Sequence, residues 1–552
     1  MVTQLSPELL GNVFEQVDND IATLWSMSLV NRFWCRVGIP ILWRTPFRMN
    51  VRYLWRQSYY NNFAPRLHNI VPILMSFLDS ESRLFLKDKD IFIASEPSSN
   101  FNYVSFLREL DIHVLHEIVD EWLDQFGVNT ISDYTNDREN PVIINGHHYK
   151  KNRTIYLVIE ICKLILRCSN KITSLFISND IFKGDLIIPY CTFLKNLASF
   201  HGATKSLSHL ETLNIRGPYI DDDLLFNLSK ICHNVLTLDL NVMNGYFKSN
   251  FATNCLPKFI KNQLNLQKIC LSCFYKDISP IIEALQTQIH SLTDIQFTSC
   301  RFSQSSLMES LMTKCSKLRS ITLKSHLNEL KDMKLMLQPL VNCNLTMLQH
   351  LSLDVWSYED SRFETVASYL QKVLECHGKF LNQLRLRFNY SKNPNILNEI
   401  GQYCLNLSTL IFPFHRREDL EHLLHLLPKL KHLKELIIEA WNRVYCADEF
   451  FPHVGDLILQ TTPRNFEMHW IINHEIIENF LKKCNNLSDH IKSFTYYCKD
   501  DPELHYRIFR AYGNMLEKKG LIRDSSIKIL TQYFSSNMQR ELSYHIIIFR
   551  VI

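Results

Sequence analysis

From residue 172 onward the apolar positions form a repeating triplet at i, i+3 and i+5. The series reads Ile172/Leu175/Ile177, Leu210/Leu213/Ile215, Val235/Leu238/Leu240, Leu266/Ile269/Leu271 and Leu292/Ile295/Phe297. It continues as Leu318/Ile321/Leu323, Leu348/Leu351/Leu353, Leu381/Leu384/Leu386, Leu407/Leu410/Phe412 and Leu433/Leu436/Ile438. The last two positions of each triplet lie two residues apart, the period of a strand with one buried face. Between triplets the spacing turns helical, as in Leu307, Met308, Leu311, Met312 and Cys315, or Val366, Tyr369, Leu370, Val373 and Leu374. Each unit therefore predicts one strand and one helix. Two weaker triplets, Phe466/His469/Ile471 and Ile491/Phe494/Tyr496, extend the series, and an earlier one, Leu107/Leu110/Ile112, stands alone.

The middle positions recur every 25 to 38 residues, the period of leucine-rich repeats stretched by insertions. No unit can bury its apolar stripe alone, so stacking predicts one α/β solenoid, parallel strands on a concave face and helices on a convex one. It spans 101–552, with a polar insertion near 129–152 and a C-terminal cap after about 497. Side chains flanking each middle position then face the concave sheet. Early strands offer Thr212, Asn214, Thr237 and Asp239, and later ones Lys324, Arg385, Arg387, Ile411, Ile437 and Glu439. The loops after the later strands add Trp356, Tyr358, Tyr390, Phe414, His415, Arg416, Arg417 and Trp441. Aromatics beside Arg are the usual composition of binding hot spots, so a target protein is expected between 350 and 445.

Residues 1–46 follow a different pattern. Ser6 can cap a helix with Pro7 at its first position, and apolar residues recur at Leu9, Leu10, Val13, Phe14 and Val17. Asp20 can cap a second helix carrying Ile21, Leu24, Trp25 and Leu29, and a third holds Phe33, Trp34 and Val37. Three short helices make a marginal core, which needs docking on something else. Residues 47–100 read as a helical linker.

The run Leu5-Ser6-Pro7-Glu8-Leu9-Leu10, then Val13-Phe14, then Leu29-Val30-Asn31-Arg32-Phe33-Trp34, then Leu42-Trp43-Arg44 resembles an F-box. Ser6 stands where that family usually has Pro, and Asn31 where it usually has Cys. With the repeats, the chain resembles F-box proteins with leucine-rich repeats. The resemblance implies a substrate-recognition subunit of a SKP–cullin–F-box ubiquitin ligase. It would bind a SKP-family adaptor, and through it a cullin, by Leu5, Pro7, Leu9, Leu10, Val30 and Trp34. Two alternatives stay open: an interaction scaffold without a ligase role, and a sensor that binds a small ligand on the same solenoid.

Composition narrows the chemistry. Sixty basic against 56 acidic residues argue against a dedicated nucleic-acid or membrane-surface binder. With 13 Gly, no P-loop and no GxGxxG fingerprint, phosphate-cradling loops are missing. Cys270 and Cys273 form a single C-x-x-C without a second ligand pair, and Cys270 is expected to point out of the core. His113-x-x-His116 with Glu117, and His474-Glu475, are fragments of metal motifs only. Cys232, Cys315, Cys404, Cys168, Cys343, Cys376 and Cys300 sit at repeat positions suited to core packing. The expectation is a non-catalytic protein with no cofactor or metal, in the cytoplasm or nucleus. The most apolar helical stretch, Ile155 to Cys168, carries Glu160, Lys163 and Arg167, which disqualifies it as a membrane span.

Overall fold

In the computed structural model the described residues are 5–18, 20–48, 67–91, 101–126, 146–178, 187–217, 222–242, 254–272, 277–301, 303–325, 330–355, 361–387, 395–414, 419–440, 445–446, 451–452, 465–484, 493–498, 502–518, 525–534 and 542–551. The chain divides into two compact units, 1–273 and 274–552.

The first unit opens with three helices, α1 (Pro7–Gln16), α2 (Ile21–Ser28) and α3 (Arg32–Leu42). Each starts on a side-chain cap. Ser6 Oγ accepts from Leu9 N at 3.3 Å, Asp20 Oδ1 from Thr23 N at 3.1 Å, and Asn31 Oδ1 from Trp34 N at 2.9 Å. Asn31, a departure from the F-box pattern, thus satisfies an otherwise orphaned N–H of α3. Leu10, Phe14, Leu24, Ile39, Ile41 and Leu42 form the core, and Phe101, Tyr103 and Phe106 pack against it from the start of the repeats. The Trp43 ring lies tilted against Tyr103, 4.5 Å between centroids, so the bundle is docked as its small core requires.

Behind it run five parallel strands, β1 (Glu109–Asp111), β2 (Ser174–Ser178), β3 (Thr212–Arg216), β4 (Thr237–Asn241) and β5 (Lys268–Ser272). Leu110, Leu175, Leu213, Leu238 and Ile269 pair in one register line. The early triplet around Leu110 is therefore the first repeat of this array. Helices Ile112–Phe126 and Gly146–Cys168 lie in chain order between β1 and β2. Residues 146–152 of the expected polar insertion belong to the second of these helices. Residues 127–145 fall outside the described residues. Part of region 47–100 also packs: Ser82 Oγ donates to buried Glu160 at 2.7 Å, and Arg167 pairs with Asp79.

The second unit continues the scheme with β6 (Asp294–Thr298), β7 (Ser320–Ser325), β8 (His350–Val355), β9 (Gln383–Arg387), β10 (Thr409–Phe414), β11 (Glu435–Ala440), β13 (Asn465–Ile471) and β14 (Ser493–Cys498), all parallel. A two-residue strand, β12 (Tyr445–Cys446), pairs with β13. Helices Ser305–Lys314, Leu330–Asn342, Ser361–His377, Asn395–Tyr403 and Asp419–Leu426 pack each on the next. Ile295, Ile321, Leu351, Leu384, Leu410 and Leu436 are aligned and buried. From β6 to β10 one carbonyl before each strand accepts two N–H groups from the next repeat, as Arg319 O does from Gln349 and His350. That shared acceptor fixes the register at each of these steps.

One triplet is corrected. Leu436 pairs with Phe466, not His469, and Ile438 pairs with Met468, so the buried pair of β13 in line with the repeats is Phe466 and Met468. Phe466 aligns in turn with Phe494, the middle position expected for β14. After helix Pro502–Lys518 the chain closes with a hairpin, β15 (Ser525–Phe534) and β16 (Leu542–Val551). Strand β16 adds antiparallel to β14, which makes the C-terminal cap.

Candidate interaction surfaces

The three-helix bundle leaves much apolar surface uncovered. Leu5, just before α1, and Leu9 and Val13 on it follow one another at intervals of four, as do Trp25 on α2 and Leu29 at its end, with Val30 beside them. All six are exposed, Leu9 to 55%, Leu29 to 66% and Val30 to 59%. They are six of the 13 large apolar side chains exposed among the described residues, gathered within 26 positions of the 552-residue chain. Such concentration differs from the singly scattered apolar residues of an ordinary surface. Pro7 is also exposed, at the first turn of α1.

Two expected surface residues sit differently. Leu10 is fully buried in the bundle core. Trp34 is only half exposed and meets buried Phe14 edge-on at 5.8 Å, so it supports the core. Helix α1 carries two adjacent apolar stripes, Leu9/Val13 and Leu10/Phe14, and periodicity alone could not say which faced inward. Val13, Trp25 and Leu29, read there as helix-face residues, thus join the exposed set.

The second surface is the polar face of the strands. In the first unit Asn214 Nδ2 donates to Asp239 Oδ2 at 2.7 Å, and Arg216 Nε donates to Asn214 Oδ1 at 3.2 Å. Neighbouring Cys270 lies on the same strand face, pointing away from the apolar core as expected, and is buried there. In the second unit Arg385 Nη2 donates to Glu439 Oε1 at 2.7 Å. Arg387 Nε lies 3.2 Å from Glu439 Oε2, and its Nη1 lies 3.9 Å from Asp354 Oδ2. The two arginines reach from β9 to β11 across Ile411 and Pro413 of β10, which carry no charge to intercept them. Both carboxylates are buried, and the two arginine side chains remain 32% and 29% exposed. Arg385 and Arg387 are therefore brought together, but as members of a charge network within the fold. Trp356, Tyr358, Tyr390, His415, Arg416, Arg417 and Trp441 lie outside the described residues.

Titratable groups elsewhere have structural partners. Burial, with Asp111 nearby, pushes Glu117 up to about 7. His113 Nε2 lies 3.4 Å from its carboxylate. Burial pushes Cys232, Cys315 and Cys404 each up to about 12, as expected of core thiols. Cys300 and Cys343 are buried too, whereas Cys168 is half-buried and Cys376 is exposed. Among the described residues no three His, Cys, Asp or Glu side chains converge as metal ligands. Among the same residues no helix is long and apolar enough to cross a membrane.

No family model matches the chain, and no curated protein matches it in sequence. Among solved structures it is similar to the leucine-rich repeat-containing protein LegL7 from Legionella pneumophila, at 13% identity and TM-score 0.30, over 50% of this chain and 92% of that one. It is also similar to TLR13 in a TLR13–ssRNA13 complex, at 14% identity and TM-score 0.23, over 57% of this chain and 46% of that one. The leucine-rich-repeat assignment rests instead on the strand register and strand–helix order of the chain itself.

Proposed function

We propose that the chain is the substrate-recognition subunit of a SKP–cullin–F-box ubiquitin ligase. The three N-terminal helices bind the adaptor, and the repeats hold a target protein on their polar strand face. The observation that carries this reading is the apolar patch of Leu5, Leu9, Val13, Trp25, Leu29 and Val30 on helices whose sequence resembles an F-box. A monomeric helical cap has no need to leave six large apolar side chains in water, each of which gains roughly 1.5–3 kcal/mol on full burial.

The bundle is joined to the repeats by backbone as well as side chains. Arg108 N donates to Arg44 O at 2.8 Å, and Arg108 O accepts from Thr173 and Ser174 of the next repeat. An adaptor held on α1 and α2 is thus coupled through one hydrogen-bonded ladder to the first repeats. The mechanism is proximity: a conjugating enzyme is brought near lysines of a bound target, and rate is gained from effective concentration without side-chain chemistry. The protein is then a receptor, not an enzyme. Co-expression with a SKP-family adaptor tests the reading. The adaptor is expected to co-purify in stoichiometric amount, and a preparation that leaves it behind removes the F-box assignment and leaves the interaction scaffold.

A further inference from the structure

We propose that the strand face of the second unit, from β7 to β11, binds an acidic segment of the target protein with apolar side chains beside its carboxylates. This deepens the reading of the repeats as the target receptor.

The face carries two rows of side chains in register. The inner row is Thr322, Ser352, Arg385, Ile411 and Ile437, and the outer row is Lys324, Asp354, Arg387, Pro413 and Glu439. The acids of the outer row are already committed and shielded, Asp354 being 5% and Glu439 8% exposed at their side chains. Arg385 and Lys324 keep partly exposed side chains. Among the described residues Arg385 donates only through Nη2, to Glu439. Its Nε is buried without a hydrogen-bond partner, and its side chain as a whole is 32% exposed. Half-buried Lys324 makes no ion pair or hydrogen bond through its ammonium among them. Glu435, at the entry of β11, is engaged with Thr409 Oγ1 at 3.2 Å.

The charge that meets solvent here is therefore positive, although the three cations are nearly balanced by acids beneath them. Guanidinium groups held in place by buried carboxylates are preorganised, so an incoming carboxylate orders fewer rotors. Ile411 and Ile437 follow Arg385 in the same row and supply an apolar floor next to the charge. Anion and hydrophobe are recognised side by side.

The test uses the full chain and fluorescein-labelled ten-residue peptides, read by fluorescence polarisation. The probes are (Glu-Leu)5, (Gln-Leu)5 and a version of the first with phosphoserine in place of Glu. The expected result is binding of (Glu-Leu)5 with (Gln-Leu)5 weaker by roughly tenfold, and a further loss at high salt. Lys324→Gln removes a charge the fold does not use, so it and Arg385→Gln should each weaken (Glu-Leu)5 by roughly three- to tenfold. Arg216→Gln, in the first unit, should leave it unchanged. Tighter binding of the phosphoserine peptide supports the site and assigns a phosphate-bearing target; weaker binding supports it and assigns a carboxylate one. Equal affinity for (Glu-Leu)5 and (Gln-Leu)5, no binding of (Glu-Leu)5, or wild-type affinity in both variants overturns the proposal. Adaptor capture is measured on the same preparations. Capture without peptide binding removes this site and keeps the ligase reading, whereas peptide binding without capture does the reverse.

Discussion

Gly11 and Gly38 occupy interior positions of α1 and α3, and the same substitution should act oppositely at each. A glycine inside a helix costs about 0.5–1 kcal/mol relative to alanine. At Gly11 an added Cβ would meet only Val37 Cγ1, at 3.9 Å, an ordinary contact. Gly11→Ala should therefore stabilise the bundle by nearly that full amount. At Gly38 the Cβ would lie 2.4 Å from Ser28 Oγ and 2.5 and 2.9 Å from Phe14 Cε1 and Cζ. Neither neighbour yields easily. Phe14 is fully buried, and Ser28 Oγ donates to Leu24 O at 2.8 Å. Overpacking of this kind costs typically 1–3 kcal/mol, and the rigid surroundings place Gly38→Ala toward the upper end. After the helix-propensity gain, a net loss of about 1–2 kcal/mol remains. Hydrogen exchange of the amides in residues 7–43, read by mass spectrometry, measures local opening of the bundle. Gly38→Ala should speed it roughly 5- to 30-fold, and Gly11→Ala should slow it about 2- to 5-fold. If both substitutions slow exchange, α3 does not approach α1 and α2 as closely as described, and the bundle's packing is wrong.

Further outcomes follow from the repeats. Ile321 is fully buried between Ile295 and Leu351 in the register line, so Ile321→Ala should destabilise the second unit by about 2–5 kcal/mol in a urea melt; a change below about 0.5 kcal/mol would contradict the register. Glu117 has its folded pKa raised from 4.5 to about 7, so its contribution to stability is present below the unfolded value and lost as pH rises through about 7. Glu117→Gln should thus raise the melting temperature at pH 8, by about 1–2 kcal/mol of stability after discounting for its partial exposure, and change it little at pH 5; the opposite pH order would refute the burial argument. Exposed Cys376 should label with a thiol reagent in the native protein, while Cys232, Cys315 and Cys404 should react only on unfolding. Peptide mapping of the labelled sites decides that point.

The repeats were legible because each middle position is buried in every copy, which leaves an unbroken apolar signal in the chain. At β13 the apolar pattern misleads, because His469 and Ile471 mimic the last two positions of a triplet three residues beyond the pair in register with the repeats, Phe466 and Met468. The isolated triplet at Leu110 gave no period to recognise, since its partner β2 begins beyond two long helices. The charge network could not be read at all. Glu439 meets Arg385 only because stacking sets β9 and β11 on either side of β10, within side-chain reach though the two residues are 54 positions apart in the chain. In the bundle the opposite held: the caps at Ser6 and Asp20 are local, side chain to nearby N–H, and sequence placed them directly.

Calorimetric titration of a purified SKP-family adaptor into the full chain tests the central claim most directly, with wild type compared against Leu9→Asp combined with Val30→Asp. Both sites are exposed and neither substitution touches the bundle core, so circular dichroism should be unchanged. The wild type should show saturable one-to-one binding and the double variant a loss of at least roughly a hundredfold, as hot-spot apolar contacts are replaced by desolvated charge. Binding of equal strength in both proteins, or none in the wild type, would contradict that claim.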